Sequence, residues 1–410
     1  MFRPRRIVVL SVAAAVMAAI ALWIVRDYSR RIHRVAGPMV QMVSPSGFTL
    51  VWRMQPAKAV RLQVHEHIGG HIVHDAVIEQ RNEQYEATIS GLRAGQEYDY
   101  TIETQPQTWT TKTAPSNAKA FRFLAFGDSG NASRHQYELA QQLSHWRPDM
   151  IIHTGDLIYP DGRREDYFRK FFLPYAHLIA VTPFYPCLGN HDVNTQKGAP
   201  FLETFVLPDN GPAGQSERCY WFDYGDMRLI AIDSNHNFEF FRDVVAPWLD
   251  QVLTQAGPRW KVLFFHEPMY THGKYENAKK LIDSIGSLID RHQVELILSG
   301  HDHMYERTYP MRGGEAALDG RGTVYVTTAA GGAGLYRQRP QRPSYMAAYD
   351  DSQHSFTVVD VTQDWLDVRQ IGEDDQPIDE TYIARRAGAA ASRPIASARE
   401  FDLPRWTGFQ

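Results

Sequence analysis

The chain has 410 residues, 43% hydrophobic and 22% charged, a composition that supports a sizeable buried core and, at this length, two domains. A formal net charge of -4 at pH 7 leaves no basic footprint, so nucleic acid binding is not expected. Two cysteines, Cys187 and Cys219, permit one disulfide but make no framework, and buried free thiols fit the count as well.

Residues 1–34 come first. Three arginines within Met1–Arg6 precede the apolar run Ile7–Val25, which is followed by Arg26, Arg30, Arg31 and Arg34. A helix of about 19 apolar residues suffices to cross a bilayer core. The run is long for a signal-peptide core and no small-residue cleavage site follows, so an uncleaved signal anchor is expected, with a cleaved signal peptide as the alternative. Everything large lies after this segment, which predicts export of the remainder.

Over residues 35–114, Val40–Met54, Val60–His65, Tyr85–Ile89 and Tyr98–Glu103 read as short strands separated by turn residues, the pattern of a small β-sandwich. Trp52 and the stretch Leu92–Tyr100 resemble the fibronectin type III pattern, in which a tyrosine locks a strand corner. His65, His67, His71 and His74 lack supporting carboxylates and read as solvent-facing histidines of a strand and hairpin. Thr111–Ala120 has no periodicity and reads as a linker.

From residue 118 to 383 strands and helices alternate, which predicts an α/β domain. Strands are expected at Phe121–Phe126, Asp149–His153, Pro183–Leu188, Arg228–Ile232, Trp260–Phe265, Val294–Leu298, Thr323–Thr328 and Ser355–Val361, with helices over Arg134–Trp146 and Glu165–Ala180. Phe168, Phe171, Phe172 and Tyr175 at helical spacing read as core.

Five polar clusters each follow a strand: Gly127–Gly130, Gly155–Tyr159, Gly189–Asp192, His266, and Gly300–His303. They offer Asp128, Asp156, Tyr159, Asn190, His266, His301 and His303 as ligands. Hard oxygen donors mixed with imidazoles suit iron, manganese or zinc better than calcium. A carboxylate can bridge two cations at the roughly 3.5–4 Å separation of two-metal phosphoryl chemistry, and Asp156 is the candidate bridge.

These five blocks resemble the signature of the purple acid phosphatases within the calcineurin-like metallophosphoesterases. Tyr305–Arg307, His266–Tyr270, Ile232–Ser234 and the glycine-rich Ala329–Gly334 add to the resemblance. It implies an αββα sandwich behind a fibronectin III-like domain. It also implies that Asp128, Asp156, Tyr159 and His303 hold Fe(3+), with Asp156 bridging and Asn190, His266 and His301 completing a divalent site for Zn, Fe or Mn. Tyr159 bears on the metal, because a phenol with a pKa of about 10 ionises only beside a strong Lewis acid.

His191 is the candidate to stabilise the transferring group or protonate the leaving oxygen, with Asp192 orienting it. His272 stands where the family often places a further substrate-facing histidine, although its local spacing departs from the family's patterns. The expected activity is hydrolysis of small-molecule phosphate esters, foremost monoesters. A phosphodiesterase acting on nucleotides or lipid headgroups is the alternative within the enzyme class, and an envelope binding protein the alternative outside it. The expected location is the cell envelope, anchored through the N-terminal helix with the catalytic domain extracytoplasmic, or secreted if the signal is cleaved. Residues 384–410, rich in Ala, Arg and Ser, read as a flexible tail. Nothing in the sequence sets the oligomeric state.

Overall fold

The computed structural model describes residues 35–117, 120–317 and 319–385. Seven strands come first: β1 Val35–Ser44, β2 Gly47–Met54, β3 Val60–Glu66, β4 Ile72–Ile78, β5 Tyr85–Ser90, β6 Glu97–Ile102 and β7 Thr108–Lys112. They form two sheets, of order β1-β2-β5 and β4-β3-β6-β7. Alternation places Leu62, Val64, Ala87, Ile89, Tyr98 and Tyr100 inside. Trp52 stacks on Tyr85 at 5.1 Å between ring centroids. The Arg93 amide donates to the Tyr98 hydroxyl at 2.9 Å.

The single strand expected over Val40–Met54 is a hairpin, because Pro45 and Ser46 turn the chain between β1 and β2. The expected linker begins inside β7, whose run of threonines around Trp109 suits an edge strand.

The larger part begins with β8 Phe121–Phe126, α1 Arg134–His145, β9 Met150–His153, α2 Leu173–Ile179 and β10 Phe184–Pro186. It continues through β11 Tyr220–Tyr224, β12 Met227–Ala231, α3 Ala246–Ala256, β13 Trp260–Phe264, α4 Lys279–Arg291, β14 Leu296–Ser299 and β15 Tyr305–Thr308. After the short hairpin β16 Met311–Arg312 and β17 Glu315–Ala316 come β18 Val324–Thr328, β19 Met346–Asp350, β20 Ser355–Val361, β21 Trp365–Gly372 and β22 Pro377–Ala384.

Two sheets result, of order β10-β9-β8-β20-β21-β22 and β11-β12-β13-β14-β18-β15-β19. β8, β9 and β10 run parallel, as do β12, β13, β14 and β18, so their carboxyl ends gather at one edge of the two sheets. Leu229, Val262, Phe264, Leu296, Leu298 and Val326 join the apolar core shared with the first sheet. The alternate residues Ile230, Leu263, Phe265 and Ile297 pack with Leu249, Val252 and Leu253 of α3 and Leu281, Ile285 and Ile289 of α4. α1 lays Leu139, Ala140 and Leu143 into the core of the first sheet. The layers therefore run helix, sheet, sheet, helix.

The N-terminal sandwich is docked on this domain. The Tyr100 hydroxyl donates to the Ala180 carbonyl at 2.5 Å, the Val43 amide donates to the Tyr185 hydroxyl at 3.1 Å, and both tyrosines are buried. Phe171, Phe172 and Tyr175 are core as expected, but the expected helix over Glu165–Ala180 breaks into a π-helical stretch, Phe168–Phe172, before α2.

The expected transmembrane helix requires correction. Among the described residues no helix is long and apolar enough to cross a membrane, and the first described element is β1. The segment read as the anchor, residues 1–34, lies outside the described residues, as does all of the expected tail beyond Arg385. Cys187 and Cys219 are buried free thiols.

Candidate metal centre

Each expected ligand stands just beyond the carboxyl end of a parallel strand: Asp128 after β8, Asp156 and Tyr159 after β9, Asn190 after β10, His266 after β13, and His301 and His303 after β14. This is where open α/β sheets place ligands, because the loops diverge there and leave a crevice. Asp128, Asp156 and His301 adopt φ values of 57, 55 and 72°, in the left-handed region that costs a residue with a Cβ of order 1–3 kcal/mol. Three of the expected ligands thus share this strained backbone.

Glycines allow the loops to close on one another. A Cβ on Gly189 would stand 2.1 Å from Asp156 Oδ1, and one on Gly300 would stand 2.7 Å from Asp128 Oδ2.

The donors fall into two groups that share the site. Around Asp128, Oδ1 accepts from the Tyr159 hydroxyl at 3.0 Å and lies 3.3 Å from His303 Nε2, while Oδ2 accepts from the His301 amide at 2.9 Å. His303 Nδ1 donates to the Gly334 carbonyl at 2.7 Å, which directs Nε2 inward to within 2.9 Å of the Tyr159 oxygen. Around Asp156, Oδ1 accepts from the His191 amide at 2.8 Å and Oδ2 lies 3.3 Å from His266 Nε2. His266 Nδ1 donates to the Thr154 carbonyl at 2.9 Å, and its Nε2 meets Asn190 Oδ1 at 3.0 Å and His301 Nδ1 at 3.2 Å.

Electrostatics follow from this crowding. Burial opposes charge on His266, yet Asp156 and Asp128 raise its pKa to about 10. Burial would raise the pKa of Asp156, but His266 and His191 hold it below the ordinary carboxylate range. Burial, then the neighbouring His266 charge, pushes His301 down to about 3, so its lone pair is available. Asp156 Oδ2, Asn190 Oδ1 and the neutral His301 all aim acceptors at His266 Nε2. Such a set is satisfied by cations, and Asp128, Asp156 and His266 bring ligand atoms within 4.8 Å of one another.

The other expected site residues fall differently. His191 sits on the rim against Tyr159, its Nδ1 donates to the Pro160 carbonyl at 2.5 Å, and its Nε2 lies 3.9 Å from Asp156 Oδ2. Asp192 does not touch that imidazole. It is fully buried and accepts from the amides of Gly189, Ile158 and Leu157 at 2.9, 3.1 and 3.2 Å, tying two ligand loops together. His272 lies apart from the ligands, its ring edge-on to Tyr349 at 6.2 Å and neither ring nitrogen hydrogen-bonded.

The family model of the calcineurin-like phosphoesterases matches residues 121–305, from the first residue of β8 past His303. Over these residues the chain is similar to the calcineurin-like phosphoesterases. This family implies a binuclear metal centre, and the donor set above fits one. Purple acid phosphatase 21 of Arabidopsis thaliana is 26% identical over 270 residues, covering 62% of this chain and 60% of that protein. The chain thus spans about three fifths of that relative's length. A nucleotide pyrophosphatase/phosphodiesterase of Hordeum vulgare is 22% identical over 308 residues, covering 62% of this chain and 79% of that protein. The solved purple acid phosphatase from yellow lupin seeds superposes with a TM-score of 0.73 at 16% identity, covering 89% of this chain and 78% of that one.

Beside the candidate ligands stand two residues that sequence reasoning missed. Tyr275 stacks on His301 and Tyr336 on His303, each with ring centroids 4.0 Å apart. Tyr275 follows the His272 loop closely enough to have been suspected. Tyr336 lies 33 positions beyond His303, and no spacing marks it.

Proposed function

We propose that this chain hydrolyses phosphate esters, foremost monoesters, at a two-cation centre of purple acid phosphatase type. One observation carries the reading: seven donors from five strand ends converge with their acceptor atoms turned inward. Asp128, Asp156, Tyr159 and His303 would hold trivalent iron, and Asp156, Asn190, His266 and His301 a divalent Zn, Fe or Mn. When bound, the cations would acidify a water and neutralise the phosphoryl oxygens during in-line displacement.

The chain's own residues do the rest. His266 and His303 are held in one orientation by the carbonyls of Thr154 and Gly334, so their Nε2 atoms are preset toward the cleft. His191, fixed by Pro160 and about one-third exposed, can take a proton from solvent and deliver it from Nε2 to the leaving oxygen. Asp192 keeps the Asp156 and Asn190 loops in register through three amides. The strand order of the N-terminal sandwich supports the fibronectin III-like expectation, and export from the cytoplasm belongs to the same proposal.

The barley relative's name favours a second reading, cleavage of diesters or pyrophosphate linkages. Hydrolysis of p-nitrophenyl phosphate against its bis ester, by the chain loaded with iron plus zinc or manganese, separates the two. Preference for the monoester supports the proposal, and preference for the diester replaces it with the second reading.

A further inference from the structure

The loop Thr271–Tyr275 is fastened from beneath by two buried carboxylates. Asp302, between the two histidines of the last cluster, accepts from the Thr271 hydroxyl at 2.7 Å, the Lys274 amide at 2.8 Å and the Tyr275 amide at 3.3 Å. Glu306 lies 2.7 Å from the same hydroxyl oxygen and accepts from the His272 amide at 2.8 Å. A Cβ on Gly273 would stand 2.3 Å from the Asp302 carboxylate, so only glycine lets the loop lie this close. The path of the loop is therefore set by groups that carry no substrate.

The loop ends on Lys274 and Tyr275, beside the histidines and near Tyr336. Tyr275 lies nearly parallel to His301, 21° off plane, and Tyr336 nearly parallel to His303, 9° off plane. The Tyr336 amide donates to the His303 carbonyl at 2.9 Å, and the two tyrosines meet edge to face at 5.9 Å. The Lys274 ammonium rests 4.1 Å from the Tyr336 ring centroid and 5.1 Å from that of Tyr275. Among the described residues no carboxylate lies within ion-pair distance of it. Lys279 and Lys280, a few residues on, are paired with Asp283 and Glu267.

An exposed lysine held over aromatic faces loses rotamer freedom. Placed beside a site for one phosphoryl group, it offers a second anion position. We propose that Lys274 is a specificity-determining residue that takes a further anionic group of the substrate, so that the site prefers phosphate esters bearing a second phosphate. The inference rests on the phosphate-ester reading and names the substrate class within it. Tyr275 and Tyr336 hold the ammonium in place and link it to the two ligand histidines.

The test compares wild type with Lys274→Met in the metal-loaded full chain. Binding is read calorimetrically with methylenediphosphonate against methylphosphonate, neither of which can be hydrolysed. A charge-assisted contact corresponds to roughly 10-fold or more in affinity. Lys274→Met should lower affinity for the diphosphonate by about that factor and leave the monophosphonate within about 2-fold, while Lys274→Arg keeps most of the preference. In turnover, kcat/KM for a sugar bisphosphate should fall about 10-fold through KM, with the monophosphate of the same sugar unchanged. An equal loss for both ligands, or an unaltered ratio, overturns the proposal. Failure of the function reading looks different: no ester turned over by wild type, with the Lys274-dependent ratio in binding still present.

Discussion

Gly189→Ala tests whether the ligand loops are packed as closely as the geometry requires. The added Cβ would stand 2.1 Å from Asp156 Oδ1 and 2.2 Å from the Asp156 amide nitrogen. Ordinary contact begins near 3.4 Å, so one loop must retreat by about 1.3 Å. Asp156 cannot yield freely, because its backbone is already at φ 55° and its Oδ1 holds the His191 amide at 2.8 Å. The movement therefore falls on Asn190 and His191, and it also pulls the Gly189 amide from Asp192. Overpacking of this kind costs about 1–3 kcal/mol, and a 1 Å misplacement of reacting groups costs about 100-fold in rate. We expect a lowered urea midpoint, less than full metal occupancy by elemental analysis, and turnover of p-nitrophenyl phosphate reduced about 100-fold at saturating metal. A variant with wild-type metal content and turnover within about 2-fold would refute the reasoning.

Three further predictions concern single groups. Tyr159→Phe should retain both cations but lose the visible tyrosinate-to-iron absorption of the iron-loaded protein; an unchanged band would remove Tyr159 from the ligand set. Asn190→Ala and His191→Ala should both depress turnover, the second by about 100- to 10,000-fold, but only Asn190→Ala should lower metal content, so equal metal loss would reverse the role given to His191. Burial pushes the Glu306 carboxyl up to about 8 from an ordinary 4.5, so between those values the folded state keeps a proton that the unfolded chain releases. Its contribution is fully present below pH 4.5 and is lost as pH rises toward about 8, at up to about 1.4 kcal/mol per pH unit. Glu306→Gln should flatten the urea-denaturation profile over that window, and an unchanged slope would show that this carboxyl is not the group responsible.

The ligand clusters were legible because their chemistry is local. A strand must end before its loop can carry a ligand, and the left-handed turns at Asp128, Asp156 and His301 each follow a glycine that lets another loop approach. Side-chain direction was not legible in the same way. Asp192 adjoins His191 in sequence, yet its carboxylate turns inward to three amides, and no spacing rule distinguishes the two outcomes. His272 fails for a related reason: Glu306 and Arg339 hold its backbone so that the ring faces Tyr349. Helix α4 is legible in Leu281, Ile285, Leu288 and Ile289, which repeat at helical spacing. The hairpin of β21 and β22 carries charged and polar residues on its exposed face and shows only half of a strand's apolar signal.

The central claim is that one pair of cations held by these residues hydrolyses phosphate esters. Its most direct test is a titration of metal-free full chain with iron and zinc, following p-nitrophenyl phosphate hydrolysis against ions bound per chain. The account predicts activity that rises to a plateau as the second ion fills, and is abolished by chelation. Activity that is complete with one ion, or absent with two bound, would contradict it.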